Sequence, residues 1–313
     1  MLVVWNKICV FLSKLKLMKQ RLLYLVAYLG FWLLCFILLK VLFLGYHFPE
    51  TSQLPAGEIV NIIISGFKLD LSFSSYIAAL PFILISLSVF VPLPVIHQVL
   101  KIYTLFVIFL VSLLSIIDLE LFRAWGFRLD ATPLAYLNTP QEMAASAASS
   151  PVFLLLIILL VCIALFSLVY LKTIHPILKG AKKPYPALIL LFLLLTASLI
   201  IPIRGGLQLA PINISDAYFS DNNFSNQAAI NVPWNFFNAL SRKTYDKTNP
   251  YKYMNEEVAD DILKKNLISS DEKLPGLLKL EKPNVLLIIW ESFSAKATRT
   301  LGTMVDVTPR FDT

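Results

Sequence analysis

Apolar residues along this chain fall in long runs, with little of the alternation that marks strands. Five runs, Leu22–Tyr46, Leu71–Val91, about Val99–Ile117, Val152–Leu171 and Ala187–Ile203, have the length and low charge of membrane-crossing helices. Pro81 lies inside the second run and predicts a kink, and Pro92 and Pro94 end it. The fifth run is the shortest and crosses with little tilt at about 1.5 Å per residue.

Past residue 203 the pattern changes. Arg204-Gly205-Gly206 leads into an Asn-rich stretch, 211–240, whose residues favour turns and helix caps. Within it, Val232–Leu240 predicts a short interfacial helix carrying Trp234, Phe236 and Phe237. Residues 241–254 read as a linker. Asn255 then caps a helix over Glu256–Leu267, with acids in its first turn and Lys264 and Lys265 in its last. Val258, Ile262 and Leu263 form its apolar stripe. After Pro283 and Asn284, six consecutive apolar residues, Val285–Trp290, stop at Glu291. A run so short and so bounded reads as a strand buried on both faces, with Glu291 at its carboxyl end. Ligands bind at that edge of open α/β sheets. Between the third and fourth runs, Thr132-Pro133 and Thr139-Pro140 each read as an N-cap followed by proline. They predict two short helices on the outer headgroup layer, with Leu134, Tyr136 and Leu137 dipping inward or packing on the spans.

Composition agrees with the runs: 57% of residues are hydrophobic and 15% charged, against about a quarter charged in soluble domains. The class is integral membrane protein. A net charge of +7 raises the question of nucleic acid, but the basic residues flank apolar runs and no basic module interleaved with aromatics is present, so no nucleic-acid partner is expected. With the N-terminus in the cytoplasm, the inner segments hold ten Lys and Arg and the outer loops before the fifth run three: Lys68, Arg123 and Arg128. The positive-inside rule then places residues 204–313 outside. Residues 1–21 are basic and acid-free. They form either a surface helix over Leu2–Leu12 or, if translation starts at Met18, a short stub. The first run reads as an uncleaved signal-anchor. Lys40 near its far end either snorkels to the headgroups or serves as a functional intramembrane charge. Arg204 either contacts lipid phosphate or acts as an interfacial anchor. Cys9, Cys35 and Cys162 all precede the exported part, which therefore has no disulfide framework.

The segment Asn284–Asp312, with its apolar strand, Glu291-Ser292-Phe293 and Val307-Thr308-Pro309-Arg310-Phe311-Asp312, resembles the opening of the sulfatase-like extracellular domain of the lipoteichoic acid synthase family. These are membrane phosphoglycerol transferases of the alkaline phosphatase superfamily. Gly66-Phe67-Lys68-Leu69-Asp70-Leu71-Ser72 resembles that family's signature before its second span, and Arg204-Gly205-Gly206 fits as well. The resemblance implies four parts: a basic cytoplasmic tail (1–21), five transmembrane helices (22–203), an extracellular juxtamembrane segment and linker helix (204–283), and the start of an extracellular α/β alkaline-phosphatase-like domain (284–313).

It further implies a metal role for Glu291, as a ligand to Mn²⁺ or alternatively Mg²⁺. In the family the metal activates a threonine nucleophile that takes a phosphoglycerol-type headgroup from phospholipid and passes it to a cell-envelope acceptor. No residue here matches that nucleophile or the later Asp-His metal pair; Thr298, Thr300, Thr303 and Thr308 do not occupy its place, and His47, His97 and His175 precede the exported part. The expectation is a piece of a longer enzyme of the bacterial cytoplasmic membrane, inactive by itself. Phosphoethanolamine transfer on the same architecture and a non-catalytic membrane binding or assembly module are the alternatives.

Overall fold

A computed structural model describes residues 2–134, 141, 150–181, 186–242 and 253–267. Two units divide the chain, Met1–Asp246 and Lys247–Thr313.

The first unit is a helical bundle. α1 (Leu2–Tyr46) is one unbroken helix, so the surface segment expected over Leu2–Leu12 is continuous with the first span. A short α2 (Phe48–Thr51) turns the chain into α3 (Ala56–Leu87), and α4 (Leu93–Trp125) follows. α5 (Val152–Val169) continues as a π turn, Tyr170–Ile174, and a 3-10 turn, His175–Leu178. Among the described residues, four helical stretches are long and apolar enough to cross a membrane: Met18–Tyr46, Ala56–Leu87, Leu93–Trp125 and Val152–Leu178. The fifth predicted span is a shorter apolar segment, Ile189–Arg204. It is made of α6 (Ile189–Ser198) and α7 (Ile200–Arg204), joined at Leu199.

α3 and α4 extend well beyond the runs that predicted them, with 32 and 33 residues. Each is close to 48 Å long at about 1.5 Å per residue, against roughly 30 Å of hydrocarbon. Polar residues that read as span boundaries, Lys68 and Asp70 on α3 and Asp118, Glu120 and Arg123 on α4, sit within the helices. α4 stops at Gly126, whose φ of 74° is left-handed and whose N–H closes on the Phe122 carbonyl at 2.8 Å.

α3 runs through Pro81. Proline has no N–H, which leaves the carbonyl four residues earlier without its helical partner. That carbonyl belongs to Ile77, and the Tyr103 hydroxyl of α4 donates to it at 2.9 Å. Inside a membrane such a freed backbone group needs a partner, and the neighbouring helix supplies it.

The Asn-rich segment folds as capped short helices. Asn213 and Asp216 form a reciprocal capping box around a 3-10 turn, Ile214–Ala217. The Asn222 side chain caps α8 (Asn223–Ala229), accepting from the Phe224 N–H at 2.9 Å. Asn226 accepts from the N–H groups of Phe219 and Ser220 at 2.8 and 3.0 Å. α9 (Val232–Arg242) is the helix predicted over Val232–Leu240. Its Trp234 is buried in the bundle, however, because the indole N–H donates to the Ser72 hydroxyl at 3.2 Å. In the loop after α4, residues 132–134 form a 3-10 turn. Its cap is Asp130, which accepts from the Thr132 N–H at 2.7 Å. The rest of that first predicted helix, with Tyr136 and Leu137, and nearly all of the second, predicted from Thr139-Pro140, lie outside the described residues.

The second unit contains α10 (Glu256–Leu267), with the bounds the charge pattern predicted. No strand occurs among the described residues. The predicted strand Val285–Trp290 lies outside them.

Candidate functional site: a buried polar seam

Two ion pairs lie buried in the first unit, where α8 and α9 meet the long helices. Lys40 of α1 contacts Asp70 of α3, with side-chain exposures of 3% and 1%. The other Asp70 oxygen accepts from the Asn231 side-chain amide at 2.9 Å. The carbonyl oxygen of that same amide accepts from the Trp234 N–H at 2.9 Å, capping α9. One carboxylate thereby joins α1, α3 and the start of α9. Lys40 does not snorkel: its side chain is held by Asp70 inside the bundle.

The second pair is Arg128 with Asp118, 2.8 Å apart and both buried. Asp118 also accepts from the Leu129 N–H at 2.6 Å. The Arg128 guanidinium lies 3.7 Å from the centroid of the Phe43 ring and donates to the Gln227 carbonyl at 3.3 Å. Burial pulls the Arg128 pKa below its ordinary value and Asp118 opposes that shift. Asn235 of α9 completes the clasp, donating to the Leu129 carbonyl at 3.0 Å. A buried charge is tolerated only when paired and hydrogen-bonded. These four charges meet that condition by tying α8, α9 and the 126–131 loop to the bundle.

Gly66 is the closest backbone approach in the seam. A Cβ there would collide with the Ala229 carbonyl and the Lys40 side chain, so only glycine lets α8 seat against α3. Gly66, Asp70 and Ser72 all belong to the 66–72 stretch singled out in the sequence. Ser72 accepts from Trp234 and donates to the Ile203 carbonyl at 2.8 Å, which also ties in α7. Spacing alone did not reveal Arg128, Asp118 and Asn231 as members of the seam. The available signal was an acid inside an apolar run, Asp118, and an arginine closely following the helix end.

Among the sequence-predicted site residues, Glu291 lies outside the described residues. Arg204 is exposed and donates to the Leu209 carbonyl at 2.5 Å, closing a loop over Gly205 and Gly206. His97 and His175 stack with centroids 3.7 Å apart, and a His97 ring nitrogen contacts the His175 carbonyl at 2.8 Å. Among the described residues no cluster of three or more His, Cys, Asp or Glu side chains suits a metal ion. The seam's carboxylates are engaged by cations and amides.

No protein-family model matches the chain, and no curated protein or solved structure does either.

Proposed function

We propose that this multi-pass membrane protein is the platform that holds a sulfatase-like phosphotransferase at the outer face of a bacterial cytoplasmic membrane. In this reading Ile189–Arg204 is the fifth crossing. Its 16 residues span about 24 Å, and the 3-10 turn Pro186–Leu188 before it adds length. Residues 205–242 then form an outer collar, and the strand ending at Glu291 begins an α/β domain of alkaline-phosphatase type. Glu291 would be one carboxylate ligand of Mn²⁺ or Mg²⁺. The chemistry such a metal would supply is Lewis-acid polarisation of a lipid phosphate, for transfer of a phosphoglycerol-type headgroup.

One observation carries the reading. The 66–72 stretch, which resembles the family signature, supplies the residues that clamp the collar to the bundle: Gly66, Asp70 and Ser72. A catalytic domain working on lipid headgroups needs a fixed height and orientation above the membrane, and a rigid collar supplies both.

The test uses membranes carrying the native gene product. They are expected to release diacylglycerol from phosphatidylglycerol with Mn²⁺ present, and Glu291→Gln is expected to abolish this. Phosphatidylethanolamine as the preferred donor would favour the sister activity. A reading frame that stops after codon 313 with no Thr loop or Asp-His pair downstream, together with no turnover of either lipid, would overturn the enzyme reading. It would leave a lipid-holding module, which the groove described next favours.

A further inference from the structure

α3, α4 and α9 enclose an open cavity of about 410 Å³, within the roughly 300–1,000 Å³ range of small-molecule sites. Ile77 of α3, Val107 and Leu110 of α4, and Trp234 and Phe237 of α9 form its wall. Tyr76, 53% exposed, also lines it and stands at its mouth. The wall is held in place: Trp234 is bonded to Ser72, and Phe237 stacks on Phe73 with centroids 5.8 Å apart.

Position and charge identify the occupant. The wall residues belong to two helices long and apolar enough to cross a membrane. Along α4 the lining runs from Tyr103 to Val111, about 12 Å of helix rise, so the groove runs along the helices as a lipid tail does. Apolar voids do not hold water, and an open void between two membrane-crossing helices meets hydrocarbon chains. The α9 end is polar, with Asn238 and Ser241 on the lining. Next comes the exposed Arg242, the single charged residue of a helix that contains no acid. An apolar slot whose α9 lining ends at Ser241, one residue before a cation, suits an anionic amphiphile.

We propose that this groove holds one acyl chain of an anionic glycerophospholipid, with its phosphate over Arg242. Only the assignment to the outer leaflet rests on the topology of the proposed function; the groove and its chemistry do not.

The experiment uses the unaltered chain in right-side-out vesicles. Phosphatidylglycerol or phosphatidylcholine carrying a photoreactive acyl chain is added from the outside, and the labelled peptides are mapped. Labelling is expected to concentrate in 103–111 and 234–241, and phosphatidylglycerol is expected to exceed phosphatidylcholine about fivefold, as one basic contact provides. Arg242→Gln removes that preference, and Leu110→Trp, which fills the slot, removes the labelling. Label spread evenly over lipid-facing residues such as Leu160, or equal labelling by the two lipids, overturns the proposal. Groove labelling that appears only when the lipid is supplied from the opposite leaflet retains the site and overturns the outward topology instead.

Discussion

Lys40 and Asp70 lie thirty positions apart on two different helices and form a pair closed off from solvent, with Asn231 on the far side of the carboxylate. Through this contact the segment after the last apolar helix becomes part of the bundle.

Removing one partner leaves the other charge buried and alone. Lys40→Ala and Asp70→Ala are each expected to cost about 3–5 kcal/mol. The double variant Lys40→Met/Asp70→Leu is expected to cost less than either, since no stranded charge remains. Thermal unfolding in detergent gives the order, and single variants as stable as the parent would refute the pairing.

Gly66→Ala and Gly57→Ala lie on the same helix in opposite surroundings. A Cβ at Gly66 meets the Ala229 carbonyl and Lys40, whereas at Gly57 it meets nothing within 4 Å. The first is expected to destabilise by about 1–3 kcal/mol. The second should be neutral or stabilise by up to about 1 kcal/mol through helix propensity. Protease resistance of residues 205–242 reads the same contrast, with Gly66→Ala alone loosening the collar.

Tyr103→Phe strips the partner from the carbonyl that Pro81 leaves open, at a cost of about 1 kcal/mol. In a Pro81→Ala background the helix supplies its own N–H, and the same change is expected to cost markedly less. A double-mutant cycle measures the coupling; additivity would mean that the hydroxyl is not serving that carbonyl.

His47 follows the end of α1, buried against Phe43, Phe122 and Phe224. Burial lowers its pKa below the ordinary 6.5; Glu50 opposes the shift and Arg128 adds to it, with Glu120 a smaller opposing charge. Below pH 6.5 the unfolded chain binds a proton that the folded chain resists. Stability is therefore full above 6.5 and falls with pH through the window down to the lowered folded value. The slope reaches at most about 1.4 kcal/mol per pH unit. His47→Phe, which keeps the ring contacts, is expected to flatten this part of the profile in unfolding measured from pH 7.5 to 5.

Orientation can be read with impermeant maleimide in a Cys9→Ser background, since Cys35 and Cys162 are buried. Leu207, 88% exposed, is expected to label as Leu207→Cys in intact cells. Lys179→Cys is expected to label only after permeabilisation. The reverse pattern would turn the collar toward the cytoplasm and remove the outer-face function.

The chain's own pattern was enough to mark its apolar helices, the α10 helix with its capping charges, and the role of the Asn-rich stretch as turns and caps. Each depends on neighbours within a few residues: hydrophobic run length, dipole-matched charges, and side chains that bond nearby backbone. α3 and α4 run past the predicted spans, because a charge in sequence reads as a boundary. Asp70 and Asp118 are instead carried inside the helices by cations from elsewhere in the chain. The fate of Lys40, the burial of Trp234, and the Arg128 clasp were likewise decided by the tertiary structure. Each depends on a partner 10 to 162 positions away, and desolvated charge and indole take whichever partner packing brings within bonding distance. Local hydrophobicity says that a segment leaves water; only the packed bundle says which polar group accompanies it.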